Sequence, residues 1–282
     1  MVPSSAAAGS ADILQAVLDA CSRTPDAPAI TVRSQTLSYR ELRDRVHAVS
    51  SSLVALGLAP GDRVLFSIRP GIDAVTLALG IIAAGATVVF ADPGAGDALF
   101  RARAQLAAPR WVAAESLLYA ASSGPLRRIA RARGLELPDY AAVVPDARHL
   151  YSGRWLPGVP RGAHSVRSLR LSTGTRHPRE SSTSASDPAL IIFTSGTTDD
   201  PKAVVHSRAT LGSGLEDFAT AVGFVQGERV LTDQLMVGIP ALISGAHWVM
   251  PPAGADPGAK PAAYLDLLPG ADVLFAVPAG LD

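Results

Sequence analysis

Two kinds of apolar segment alternate along this chain, and that alternation limits its possible folds more than any other feature. Short runs such as Val64-Leu65-Phe66, Thr87-Val88-Val89-Phe90 and Ala189-Leu190-Ile191-Ile192-Phe193 are apolar at nearly every position. The longer stretches between them repeat their apolar residues at helical spacing. A strand that is apolar on both faces has to be covered on both faces. The pattern therefore predicts an α/β fold, with mostly parallel sheets covered by helices on both faces.

The spacing predicts helices over 11–21, 39–56, 73–84, 97–106, 209–222 and 240–244, and one over 116–133 broken near Gly124 and Pro125. Ser38 and Glu41 make a capping box for the second of these. Strands are expected over 29–32, 63–68, 87–90, 111–114, 189–193, 229–231, 247–250 and 273–277. Residues 72–91 are apolar for nearly a bilayer's thickness, but Asp73, Gly80 and Gly85 interrupt the run, which reads as a buried helix followed by a buried strand rather than a membrane span.

Seven arginines, Arg148, Arg154, Arg161, Arg167, Arg170, Arg176 and Arg179, lie among Ser, Gly and Pro between 148 and 187. This stretch is expected to be a surface excursion ending in a flexible linker. The division that follows is 1–172 as a first α/β subdomain carrying the arginine-rich excursion, 173–187 as linker, and 188–282 as a second, incomplete α/β portion. A nucleic-acid arm would need interleaved aromatics for base stacking, which the segment lacks.

Lysine plus arginine equals aspartate plus glutamate at 25 each, so no global field draws in nucleic acid or an anionic membrane, and any anion site must be local. The single Cys21 cannot form an intramolecular disulfide, and the first eleven residues lack the basic start and apolar run of a signal peptide. A cytoplasmic location is the expectation.

The chemistry is concentrated directly after the strand ending at Phe193. Thr194, Ser195, Gly196, Thr197, Thr198, Asp199, Asp200, Pro201 and Lys202 offer four hydroxyls and one ammonium within nine residues. Successive backbone amides in a turn make an anion-binding concavity, and a lysine adds a compact positive charge, so the inventory suits a polyphosphate. A Ser/Thr-rich turn between strands is the alternative on local chemistry alone. The G-x-x-x-x-G-K-[ST] spacing of a P-loop NTPase is absent.

Residues 191–207, I-I-F-T-S-G-T-T-D-D-P-K-A-V-V-H-S, resemble the phosphate-loop signature T-S-G-T-T-G-x-P-K-G-V of the adenylate-forming superfamily of acyl-CoA synthetases, luciferases and peptide-synthetase adenylation domains. L-S-Y-R-E-L from Leu37, A-L-G-L-A-P-G-D-R-V from Ala55 and G-I-I-A-A-G-A-T-V-V-F-A-D-P from Gly80 resemble it in the same order. G-E-R-V-L-T from Gly227, S-G-A-H-W-V-M-P from Ser244 and A-D-V-L-F-A-V-P-A from Ala271 continue the likeness downstream.

The resemblance implies the fold of the N-terminal domain of acyl-CoA synthetases and a reaction in which a small-molecule carboxylic acid attacks the α-phosphorus of ATP. An acyl-adenylate and pyrophosphate result, with Mg2+ as cofactor and coenzyme A as a possible acceptor. Thr194, Ser195, Gly196, Thr197, Thr198 and Lys202 carry over as nucleotide-binding residues, and no residue carries over as a metal ligand. The catalytic lysine the resemblance implies falls beyond Asp282, in a C-terminal half that this chain does not contain, so the chain alone is expected not to turn over. A fatty acid is the expected substrate, from the likeness of Asp92-Pro93-Gly94 to members acting on long acyl chains and from the apolar Leu235, Met236, Val237 and Ile239. Asp199 and Ala203 replace two family glycines, D-Q-L-M-V-G at 233–238 replaces a proline-aromatic-histidine pattern, and Arg208 replaces a frequent second histidine. A non-catalytic binding or interaction module derived from the same fold is the alternative.

Overall fold

The computed structural model describes residues 12–170, 184–194, 201–252 and 264–276. In chain order the elements are α1 (Ile13–Arg23), β1 (Pro28–Val32), β2 (Gln35–Ser38), α2 (Tyr39–Ala55), β3 (Arg63–Ser67), α3 (Ile72–Ala83), β4 (Thr87–Phe90), α4 (Asp97–Ala107), β5 (Trp111–Glu115), α5 (Ser116–Ser122), α6 (Arg127–Ala132) and α7 (Tyr140–Val143). They continue with β6 (Arg148–Ser152), β7 (His164–Ser165), α8 (Val166–Leu169), β8 (Pro188–Thr194), β9 (Lys202–Ser207), α9 (Arg208–Val222), β10 (Arg229–Leu231), α10 (Leu235–Ile243), β11 (His247–Met250) and β12 (Val273–Leu274).

Local chemistry sets most boundaries. Asp12 caps α1 by accepting from the amides of Leu14 and Gln15, and Ser38 and Glu41 form the expected capping box at α2. The apolar run at 72–91 resolves into α3 and β4, both largely buried. Among the described residues, no helix is long and apolar enough to cross a membrane.

The strands form two sheets, one of five in the order β12-β10-β11-β1-β2 and one of seven in the order β7-β6-β5-β3-β4-β8-β9. All neighbours run parallel except β1 with β2 and β8 with β9. Each sheet takes strands from both sides of residues 173–187, since β1 pairs with β11 and β4 pairs with β8.

Side-chain alternation explains the uniformly apolar strands. Val64, Phe66, Val88, Trp111, Ala113 and Leu190 enter the main core with α1, α2 and α3 between the sheets. Their neighbours Leu65, Val89, Val112, Ala114 and Ile191 enter a second core on the other face, with Phe100, Tyr119 and Tyr140 from the helices that cover it.

Two segments differ from the sequence expectation. The stretch from Arg148 is no surface excursion at its start: β6 is an interior strand between β5 and β7, with His149, Leu150 and Ser152 buried. Arginine at the strand's first position hides the pattern, yet its guanidinium lies over the Trp111 ring at 4.9 Å. The other is β9, a strand where a loop leading directly into a helix was expected; its exposed Lys202 to Val205 give no buried face to read. Of the expected linker, 173–183 lies outside the described residues, and Ser184 to Asp187 close a turn in which Asp187 N donates to Ser184 O at 2.9 Å.

A Cβ on Gly238 in α10 would stand 2.0 Å from the Trp248 ring, which is fully buried and donates from Nε1 to Thr232 O. Gly238→Ala is therefore expected to destabilise the protein by about 1 to 3 kcal/mol despite alanine's better helix propensity; a urea midpoint equal to or above that of the parent refutes the packing account. Burial lowers the His149 pKa below its ordinary 6.5, its Nδ1 lying 3.1 Å from the Tyr119 hydroxyl. The folded state thus resists a proton that the unfolded chain accepts, so this contribution is intact above pH 6.5 and is lost as pH falls below it. Urea midpoints measured between pH 7.5 and 5.5 should fall less steeply for His149→Gln than for the parent.

Candidate functional site

Strand direction decides where the expected nucleotide residues go. β8 runs parallel to β4 and ends at Thr194, and β9 returns beside it, so Thr194 and Lys202 are direct cross-strand partners at the carboxyl end of the seven-stranded sheet. Opposed residues share a face; by alternation from Leu190 and Ile192, that face looks toward the layer between the two sheets. Both residues are exposed, and among the described residues no carboxylate pairs with Lys202. Ser195, Gly196, Thr197 and Thr198, with Asp199 and Asp200, lie outside the described residues.

Beside the hairpin the sheet opens. The connection leaving β3 goes to β4 on one side, whereas the chain leaving β5 goes to β6 on the other. That divergence creates a crevice at the carboxyl ends of β3 and β5, where open α/β sheets bind ligands. A cleft of about 670 Å3 occupies it. Phe66, Phe90, Leu118, Ile192, Phe193 and Leu235 form its apolar lining, and Ser67, Arg69, Asp92, Arg103 and Glu115 supply polar groups.

An ion pair bridges the crevice. Arg69 donates from Nε to Glu115 Oε1 at 2.7 Å and from Nη2 to Oε2 at 2.6 Å, and its backbone amide adds a third bond to Oε1 at 3.0 Å. The fork geometry makes this the strongest kind of side-chain pair, and the carboxylate holds the guanidinium further toward its charged form. Arg103 of α4 lies over the Phe193 ring at 5.5 Å, one residue before Thr194, and its Nε is buried without a hydrogen-bond partner. Beneath the cleft, Tyr140 is fully buried with its hydroxyl near Ser67 and in the field of Glu115 and Asp92, and burial pushes its pKa up so that the phenol stays protonated. Asp92 accepts from Gly94 N at 2.8 Å. The cleft thus offers two cations, two carboxylates and an apolar wall.

Arg208, at the position of the frequent second histidine, adds no free charge beside Lys202. It is buried at the start of α9 and turned toward α1, with Nη2 donating to Asp12 Oδ1 at 3.0 Å and Nε 2.6 Å from Oδ2. The residues of the expected acyl lining divide. Leu235 reaches the cleft, and Leu235, Met236 and Ile239 line a small, wholly apolar cavity against α1, α3 and α9. Val237 instead packs on Val230 and Ala246 in the core. Among the described residues no three His, Cys, Asp or Glu side chains group as a metal site. The sequence reading did not single out Arg69, Arg103, Glu115 or Tyr140. Position at a strand's carboxyl end could have flagged Arg69 and Glu115; nothing local marks Tyr140.

A family model described as AMP-binding enzyme matches residues 17–282, and the chain belongs to that family. Surfactin synthase subunit 1 of Bacillus subtilis (strain 168) is 25% identical over 189 residues, which are 67% of this chain and 4% of that protein. Phenyloxazoline synthase MbtB of Mycobacterium sp. (strain MCS) is 31% identical over 215 residues, 76% of this chain and 15% of that protein. The chain therefore spans a small fraction of the curated relatives it matches. Among solved structures, the N-terminal domain of FACL13 from Mycobacterium tuberculosis superposes with a TM-score of 0.74 at 18% identity, covering 96% of this chain and 64% of that one. The likeness bears out the expected fold, the N-terminal domain of adenylate-forming enzymes.

Removing the bridging charge tests how firmly the crevice is held. Glu115→Gln is expected to cost about 1 kcal/mol, since Arg69 is half exposed and part of the attraction is screened. The loss should shrink in about 1 M salt. An unchanged midpoint at low salt would show that the pair does not brace the crevice.

Proposed function

We propose that this chain is the nucleotide-binding portion of an ATP-dependent ligase that activates a carboxylic acid as its acyl-adenylate, releasing pyrophosphate. The observation that carries the reading is the register of Thr194 against Lys202, which brings a hydroxyl and an ammonium with no carboxylate partner among the described residues together beside a cleft at the carboxyl end of the sheet. Nucleotidyl transfer depends chiefly on positioning the phosphates and neutralising their charge, and these two groups suit that task. In this reading Ser195, Gly196, Thr197 and Thr198 complete the phosphate cradle. Magnesium would travel with the nucleotide and offset the negative charge that Asp199 and Asp200 add.

The apolar wall at Phe66, Phe90 and Leu235 supports an acid with an apolar body, of which a fatty acid is one case. Coenzyme A as acceptor rests on the resemblance to acyl-CoA synthetases. Turnover is proposed to require residues beyond these 282, so pyrophosphate exchange into ATP should stay at background with this chain alone and a fatty acid panel. The second reading, a binding module without catalysis, is favoured by Asp199 and Ala203, which stand where the family pattern has glycines, and by the second negative charge of Asp200.

Charge counting gives the test. One lysine against two aspartates leaves the loop near-neutral or repulsive, so calorimetry should find ATP or pyrophosphate binding in the millimolar range and only with magnesium. Lys202→Ala should weaken it about fivefold to tenfold, and Asp199→Gly with Asp200→Ser should tighten it. Tight binding without metal, or no response to the double replacement, refutes this account; no binding at all favours the second reading.

A further inference from the structure

The neutral total conceals a strong local asymmetry. Between Ser116 and Arg170 the chain carries nine arginines and no lysine, against the three acids Glu136, Asp139 and Asp146. Two of the nine are used structurally: Arg148 lies over Trp111, and Arg170 pairs with Asp73 at 3.0 Å. Arg127, Arg128, Arg131 and Arg133 are all exposed on α6 and the turn after it, and Arg154 and Arg161 are exposed on the loop that follows β6. None of these six has an ion-pair partner among the described residues.

Backbone contact joins the helix and the loop into one surface. A Cβ on Gly158 would stand 2.8 Å from Ala120 Cα, and one on Gly124 would stand 2.5 Å from Pro157 O. The loop from 153 to 161 therefore lies directly on the α5–α6 turn, with no room for a side chain between them. Three large apolar side chains protrude among the arginines: Ile129 at 52%, Leu135 at 53% and Trp155 at 61% exposure. Only Ala130 of α6 is buried, so nearly the whole helix faces outward.

We propose that this surface adsorbs to an anionic lipid bilayer. A protein partner would need a separate pocket for each protruding side chain. A bilayer interface deforms around them, takes indole at the headgroup level and attracts unpaired arginines to its phosphates and carboxylates. A nucleic acid is the poorer fit, because a single tryptophan offers one stacking platform. Adsorption of this kind is peripheral. Arg154 and Trp155 leave the carboxyl end of β6, the same end of the sheet as the cleft, so the adsorbed protein holds its cleft close to the lipid.

The three tryptophans supply a clean reporter, since Trp111 and Trp248 are buried at 1% and 0% exposure and Trp155 alone responds to its surroundings. The probes are vesicles of phosphatidylcholine alone and with about 30 mol % phosphatidylserine. We expect cosedimentation and a blue shift of tryptophan emission with the anionic vesicles only, both reversed in about 0.5 M sodium chloride. Combined Arg127→Gln, Arg128→Gln, Arg131→Gln and Arg133→Gln should weaken binding at least about tenfold. Trp155→Phe should abolish the blue shift and leave the charge-driven sedimentation. Circular dichroism checks folding, and Arg154→Gln with Arg161→Gln, which leaves α6 intact, should weaken binding about threefold or more if the helix variant misfolds. Failure to sediment with anionic vesicles at low salt, equal binding to neutral vesicles, or full binding by the folded arginine variants overturns the proposal. Binding to an acidic protein without binding to vesicles overturns it as well.

Discussion

The structure depends on burying the strands of the seven-stranded sheet on both faces. β3, β4 and β8 have no polar face to offer water, so helices must cover them twice. Parallel strands need crossovers long enough to hold those helices, which makes the direction of each crossover the next constraint. Its reversal between β3 and β5 opens the cleft. The cleft is thus a by-product of how the sheet is covered, as expected when a parallel sheet changes winding direction.

Electrostatics then differentiates the rim of that sheet. Arg69 and Glu115 neutralise each other across the crevice, whereas Lys202 and Arg103 near the hairpin base have no ion-pair partner among the described residues. Arg103 is tied to the hairpin by its stacking on Phe193, so the covering helix α4 and the loop-bearing strand do not move independently without losing that contact. The same carboxyl end carries, further along at β6, the loop of exposed arginines and Trp155. Charge that cancels over the whole chain is thus sorted by location.

Motifs of the AMP-binding family are spread along the chain, and several mark the boundaries of its elements. The capping box of L-S-Y-R-E-L starts α2, and the strand leading into T-S-G-T-T ends at Thr194 at the carboxyl end of the sheet. Positions where the chain departs from the family pattern serve packing. Arg208 fixes α9 to α1 through Asp12, and Gly238 makes room for Trp248.

The sequence by itself determined the α/β class, most helix and strand positions and the inventory of hydroxyls and ammonium at residues 194–202, because period-2 and period-3.6 patterns and caps are local signals. It could not determine which strands pair, because pairing is a contact between distant segments: β1 joins β11 across more than two hundred residues, and β8 inserts beside β4. β6 was hidden because the arginine at its start masked a buried strand, and β9 because exposure left it no pattern. Only the tertiary structure brought Arg69 to Glu115, Arg103 to Phe193 and Tyr140 beneath the cleft. Those groups become neighbours through strand order and the docking of the helices that cover the sheet, and both are fixed by the burial of whole faces rather than by any residue's own preference.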